Sequence, residues 1–404
     1  MGFTVQCSRH EAVWVDIGTA FRVHPHVHGP RCRQHQHGCR WRRHFAGGRR
    51  LRHSEQVGRG LRRADRYAVI FPQDRPEPAV ARKASVAPHV GHGQTVAKII
   101  LFGEHSVVYG HPAIAMPLRT LRMIARVEPT DGPGTLSGLG WTGPITEAPA
   151  RFSSIVKAAE VASDFAGHPG AGLNISTESE FPPERGLGSS AAAAGAVIRA
   201  VLDAFDTPAT PRELFDLTQE AETVAHGRPS GLDAVATSAE APVHFQAGQA
   251  TDLEFSPDAW IVIADSGVEG STRETVGHVR GRFEAEPDII TALLNRLGEI
   301  TDEVVVDLRT GDVQGMGARM TEAHGILGQL GVSNTQLDAL VTASLGAGAL
   351  GAKLTGGGRG GCVIALAATE EDAENVEKAL VDAGARGTWV HAPATGQMAG
   401  EVMQ

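Results

Sequence analysis

A break in composition after His92 decides how much of this chain of 404 residues has the patterning a fold needs. Residues 1–92 hold 16 Arg and 1 Lys against 6 Asp and Glu, a balance of +11. The remaining residues hold 20 Lys and Arg against 40 Asp and Glu, so the overall charge of −9 averages two unlike segments. Ten of the 18 His and three of the four Cys (Cys7, Cys32 and Cys39) also fall in the first one. Stretches such as RCRQHQHGCRWRRHFAGGRRLRH repeat at neither the helical nor the strand period. They bury too little apolar surface to offset the entropy of ordering, and we expect a disordered Arg- and His-rich segment over residues 1–92.

Two functions suit such a segment. A basic tail holds nucleic acid through phosphate contacts, and Cys32, His35, His37 and Cys39 are zinc-ligand types. The Cys spacing fits none of the usual paired-ligand patterns, and aromatic interleaving in the quoted stretch is limited to Trp41 and Phe45. No nucleic-acid partner is expected. A further reading treats the stretch as translated upstream sequence, with the true start near Val86 or Val90.

From Thr95 onward, short apolar runs separated by Gly and Pro alternate with amphipathic helices. The spacing predicts strands over 97–102, 113–117, 121–127 and 173–176, then an Ala-rich helix over 189–205 stopped by DTPATP. A helix over 211–226 begins at a proline suited to a first turn. Beyond it we expect a strand over 260–264, helices over 289–308, 313–330 and 333–345, strands over 351–355 and 362–367, and a helix over 370–383. The mixture argues for α+β architecture in two halves, here 93–255 and 256–404. No run approaches the roughly 20 apolar residues of a spanning helix, and no secretory signal is evident, so a cytoplasmic protein without a membrane partner is expected.

Three segments have the composition of a reaction site. In PPERGLGSSAAAA (182–194) a glycine turn opens directly into a helix, whose unpaired N–H groups and positive dipole end favour an anionic phosphate. No Lys follows the glycines, so this is not a Walker A loop; a plain helix cap is the bland alternative. In ETVAHGRPSGLD (222–233), Glu222 falls on the polar margin of its helix and Asp233 in the first turn of another. Helix-terminal charge explains such a carboxylate alone, but beside a phosphate-binding turn the two suit Mg²⁺ binding and deprotonation of an attacking hydroxyl. In KLTGGGRGGC (353–362), glycines this dense between two strands point to close backbone approach, to a ligand or to another loop, unless they form a flexible hairpin.

Taken in order with KIILFGEHSVVYG (98–110), these motifs resemble the signature of the GHMP kinase superfamily, and GEHSVVYG and HGRPSGLD are similar to the mevalonate kinases within it. The resemblance covers residues 95–404. It implies a two-domain GHMP kinase fold, with a ribosomal-protein-like α+β domain followed by a ferredoxin-like α+β domain. It also implies ATP-dependent phosphorylation of mevalonate to 5-phosphomevalonate, with Mg²⁺ as cofactor and a possible homodimer. By resemblance Asp233 is the catalytic base and Lys98 its cationic neighbour, while Ser190 and Glu222 hold Mg²⁺. Ser179, Glu184, Arg185, Gly186, Leu187, Gly188 and Ser189 line the nucleotide with Ser190. Glu104, His105 and Thr272 belong to the substrate end. Two departures stand out: QTVAK lacks the Pro-Gly that often precedes the lysine, and Arg359 interrupts a glycine-only run. Another GHMP small-molecule kinase, acting on phosphomevalonate or a sugar, and a catalytically silent ligand-binding regulator remain the alternatives.

Overall fold

A computed structural model describes residues 2–5, 13–16, 88–227, 229–253 and 258–393. The chain forms two units, Met1–Arg63 and Ala64–Gln404. In the first, the described residues are two strands, β1 (Gly2–Val5) and β2 (Val13–Asp16), paired antiparallel. They fall in the segment read as lacking order, as do residues 88–92; residues 6–12 and 17–87, with the zinc candidates Cys32, His35, His37 and Cys39, lie outside the described residues.

The second unit builds its first sheet from β3 (Gly91–Phe102), β4 (Ala113–Thr130), β5 (Thr135–Gly138) and β6 (Trp141–Pro144). After α1 (Ser153–Ala166) come β7 (Gly172–Ser179), α2 (Ser189–Ala204), α3 (Pro211–His226), α4 (Leu232–Ala236), β8 (Val243–Gln246) and β9 (Gln249–Asp252). The sheet runs β6-β5-β7-β4-β8-β9, with β3 paired to β4. All its pairs are antiparallel except β5 with β7.

Two strands were expected over 113–117 and 121–127, yet β4 is a single strand of 18 residues. Its partner explains this. The register with β3 jumps from Val96↔Arg122 to Ala97↔Leu118, so residues 119–121 bulge without ending the strand. Arg119 and Thr120 are exposed there, and the polar step that read as a turn is an outward bulge.

Gly91 and His92, assigned to the basic segment, belong to β3. The reason lies in α2, which packs on this strand. A Cβ on Gly91 would sit 2.0 Å from the Ala200 carbonyl, and one on Gly93 would sit 2.0 Å from the Ala196 carbonyl. Thr95 Oγ1 donates to the Ala192 carbonyl at 2.7 Å. Residues two apart on the strand therefore meet residues four apart on the helix, because the two repeats are close in length, roughly 6.7 and 6 Å. An alanine-rich helix on a glycine-bearing strand is what lets the backbones approach.

The second sheet follows with β10 (Trp260–Asp265), α5 (Thr272–Ala285), α6 (Pro287–Thr310), α7 (Val313–Gln329) and α8 (Thr335–Gly346). It is completed by β11 (Gly351–Thr355), β12 (Cys362–Ala367), α9 (Glu370–Asp382) and β13 (Gly387–His391). The order is β11-β12-β10-β13, antiparallel throughout. Helices α7 and α8 pack on β11 and α9 on β12, and every residue of β11 and β12 is buried. Both strands thus read as continuous rather than alternating. One large core runs through both sheets. A smaller one, with Ile100, Phe215, Leu232, Val235 and Phe245, lies under α4. No helix among the described residues is long and apolar enough to cross a membrane.

Replacing Gly93 by Ala forces β3 off α2 and is expected to cost about 3 kcal/mol. Gly277, inside α5 with nothing within 4 Å of an added Cβ, is expected to gain about 0.5–1 kcal/mol as Ala. Urea unfolding of the two variants checks both signs; equal effects would contradict the packing of α2 on β3.

Candidate active site

The site begins at the glycine turn between β7 and α2. Gly188 caps α2 with φ 76°, in the left-handed region. A Cβ there would lie 2.9 Å from Lys98 Cγ and 3.0 Å from Thr237 Cγ2, so the turn has room only for glycine. Beneath it runs the Lys98 side chain, 2% exposed, coming from the middle of β3. The Lys98 amide donates to the Leu187 carbonyl at 3.0 Å, and Lys98 Nζ donates to the Gly186 carbonyl at 3.2 Å. The first turn of α2 has no side-chain cap, and Ser189, Ser190 and Ala191 face a cleft of about 1240 Å³. Free amides at a helix start opening into a cleft are suited to an anion.

Asp233 is the second residue of α4, whose neighbours Leu232 and Val235 are anchored in the smaller core. Its carboxylate is 43% exposed and meets Lys98 Nζ at 2.9 Å. One partner is buried and the other faces the cleft. A second pair involves the same helix start: Ser190 Oγ donates to Glu222 Oε1 at 2.7 Å and lies 3.1 Å from Ser154 Oγ. Glu222 was expected on the polar margin of α3, but it is 3% exposed, because α2 and α1 cover that face and α2 brings the Ser190 hydroxyl to it. Among the described residues no group of three or more His, Cys, Asp or Glu could hold a metal. A hydroxyl and a carboxylate in contact are the donor types for Mg²⁺ when phosphate oxygens and water complete the shell.

The opposite wall comes from the second sheet. The glycine run after β11 meets another loop: a Cβ on Gly356 would lie 2.8 Å from Gly186 Cα. Close backbone approach to a second loop, one of the two uses expected for this run, is what backs the glycine turn at Gly186. Thr272, first residue of α5, lines the cleft beside Gly357. His105 lines it too, with φ 60°, and its Nε2–H donates to the Gly357 carbonyl at 2.9 Å. Burial holds the His105 imidazole neutral, with its pKa pulled down to about 4.

Of the residues singled out from sequence, Lys98, His105, Glu184, Gly186, Gly188, Ser189, Ser190, Asp233 and Thr272 line this cleft. Glu222 stands behind Ser190. Four others point elsewhere. The Ser179 hydroxyl donates to the Phe181 carbonyl at 2.5 Å, and Leu187 is wholly buried. Arg185 pairs with Asp265 of β10 at 3.0 Å. Glu104, expected at the substrate end, is fully buried in an ion pair with Lys353. Arg359 lines the cleft, but its Nε donates to the Gly331 carbonyl at 3.0 Å. Sequence reasoning gave no role to Ser154 or Lys353. For Ser154 no signal was read, since α1 went unpredicted; for Lys353 the signal was the alternation of Lys353, Thr355 and Gly357.

A glycine turn feeding a helix start, a buried lysine against an open aspartate and a serine-carboxylate pair, all around one cleft between two α+β halves, define a small-molecule phosphotransferase of GHMP type. Residues 153–240 match the family described as GHMP kinases N terminal domain, and residues 304–386 match GHMP kinases C terminal. The mevalonate kinase of Thermococcus sibiricus is 38% identical over 295 residues, covering 67% of this chain and 87% of that protein. The mevalonate kinase of Pyrococcus furiosus is 35% identical over 301 residues, covering 68% and 88%. Among solved structures, the L. major mevalonate kinase in complex with R-mevalonate superposes with a TM-score of 0.65 at 27% identity, covering 76% of this chain and 98% of that one. The chain belongs to the mevalonate kinase family of the GHMP kinases.

His105 carries a pH dependence. Its unfolded pKa of about 6.5 exceeds the folded value of about 4, so the unfolded chain binds the proton first as pH falls. The stability contributed by the neutral ring is present above pH ~6.5 and is lost towards pH ~4, roughly 3 kcal/mol in all. His105→Asn is expected to flatten the loss of stability between those pH values in urea unfolding; unchanged slopes would contradict the burial of this ring.

Proposed function

We propose that this chain transfers the γ-phosphoryl group of ATP to the terminal hydroxyl of mevalonate, giving 5-phosphomevalonate and ADP. The observation that carries the reading is the 2.9 Å contact between buried Lys98 and the cleft-facing carboxylate of Asp233, next to the start of α2. In phosphoryl transfer the protein mainly positions charge. Asp233 accepts the hydroxyl proton as the oxygen attacks in line. Lys98 holds that carboxylate in place at 2.9 Å and offsets the charge that develops on the attacking oxygen. Amides of the glycine turn and of Ser189, Ser190 and Ala191 receive phosphate oxygens.

Ser190 and Glu222 would hold Mg²⁺, which would supply positive charge to offset that of the phosphates. His105 and Thr272 shape the acceptor end, where a neutral imidazole adds no competing positive charge. In this reading residues 93–255 supply the nucleotide and metal groups and residues 256–404 close the cleft. Ser179 and Arg185 have no part in it, because their polar atoms are engaged elsewhere. A cytoplasmic location is part of the same reading.

ADP release measured with mevalonate, phosphomevalonate and galactose in turn tests the acceptor. Turnover is expected with mevalonate. Turnover only with another acceptor would move the assignment within the superfamily, and none with any would leave a ligand-binding regulator. Glu222→Gln is expected to raise the Mg²⁺ concentration for half-maximal rate by about tenfold to a hundredfold; an unchanged requirement would remove Glu222 from the metal.

A further inference from the structure

We infer that Lys353 is a positioning residue for the transfer: its buried ion pair with Glu104 locks the strand that carries Lys98 to the glycine loop that backs the phosphate turn. The inference rests on the reading above for what the site does, and on geometry for how the site is held.

Lys353 and Glu104 have no side-chain exposure and form a direct ion pair across 249 residues of sequence. Lys353 Nζ also donates to the Leu354 carbonyl at 2.7 Å, while Glu104 Oε2 has no hydrogen-bond partner. Burial pushes the Glu104 carboxyl up and the Lys353 ammonium down, and each draws the other back toward its charged form. A pair so completely desolvated contributes little net stability, and apolar replacements of both partners are often neutral or better. Stability alone does not account for its presence.

Its place in the fold does. Residues 353, 355 and 357 alternate, so they face one side of β11 and its continuation. Each meets the end of β3 or the loop after it. Lys353 pairs with Glu104, and Thr355 Oγ1 accepts from the Ile100 amide at 2.9 Å and donates to the Ile100 carbonyl at 3.0 Å. The Gly357 carbonyl accepts from His105. Lys98 lies two residues before Ile100 and donates to Gly186, and Gly186 packs against Gly356. The contacts close a ring, from Lys353 to Glu104, along β3 to Lys98, across to Gly186 and back through Gly356 to β11. The Lys353–Glu104 pair is the ionic link in that ring. Neither side chain lines the cleft, so the pair acts on the reaction by fixing where Lys98 and Gly186 stand.

The test is steady-state kinetics and thermal unfolding of the full chain as wild type, E104Q, and the double variant E104M/K353M. The double variant removes both charges together. It is expected to unfold near the wild-type temperature, with kcat lowered about tenfold to a hundredfold and KM for ATP and for mevalonate within about threefold. A double variant with near wild-type kcat would overturn the inference and leave a packing role. A raised KM for mevalonate at unchanged kcat would overturn it in favour of a direct substrate contact. Should the double variant fail to fold, the isosteric E104Q decides by the same split: lowered kcat at unchanged KM supports the inference, unchanged kcat overturns it. A wild type that turns over a different acceptor is assayed with that acceptor. A wild type with no turnover on any acceptor refutes the proposed function and, with it, a positioning role in transfer; the cause is then visible in the wild type before any variant is compared.

Discussion

The site depends on one buried ammonium. Lys98 is 2% exposed, and a lone charge at such a position would be expelled or neutralised. It stays because the Asp233 carboxylate pairs with it at 2.9 Å and the Gly186 carbonyl accepts a hydrogen bond from it at 3.2 Å. This arrangement sets conditions on the surroundings. Gly188 must be glycine to leave space for the lysine stem, α4 must present Asp233 from the smaller core, and β3 must be held along its length. The asymmetry has a chemical result. The cation is shielded while the carboxylate opens on the cleft, which in the proposed mechanism lets Asp233 meet an incoming hydroxyl without losing its partner.

Close backbone packing supplies the remaining precision. Glycines on β3 let α2 descend onto the strand, which fixes the helix start that faces the cleft. On the far side, Gly356 against Gly186 ties the second sheet to the same turn. The glycine turn is therefore approached closely from both halves, by Gly356 on one side and by the buried Lys98 stem beneath it on the other. Positioning of this kind is what a phosphoryl transfer most needs from its protein.

Local chemistry was legible in the sequence; long-range partnership was not. The turn into α2, the proline start of α3 and the limits of β11 and β12 follow from capping and periodicity within a few residues. Asp233 in a first turn was readable for the same reason. The start of α5 was also written locally, since Ser271 accepts from the Glu274 amide in an S-x-x-E pattern that went unread. By contrast, the burial of Glu222 depends on Ser190, 32 residues away. The turning of Arg185 depends on Asp265, and the burial of Glu104 depends on Lys353. Family resemblance carried these residues to the neighbourhood of the site, but only the fold showed that Arg185 and Glu104 face away from the cleft.

Asp233, held by Lys98, is proposed to receive the proton while the turn at Gly186 and Gly188 binds the nucleotide independently. Single-turnover transfer from γ-labelled ATP to mevalonate in Asp233→Asn, with the Kd for ATP measured alongside, separates the two tasks. Transfer is expected to fall roughly 10²- to 10⁴-fold, with Kd within about threefold of wild type. Near-native transfer in that variant would contradict the account.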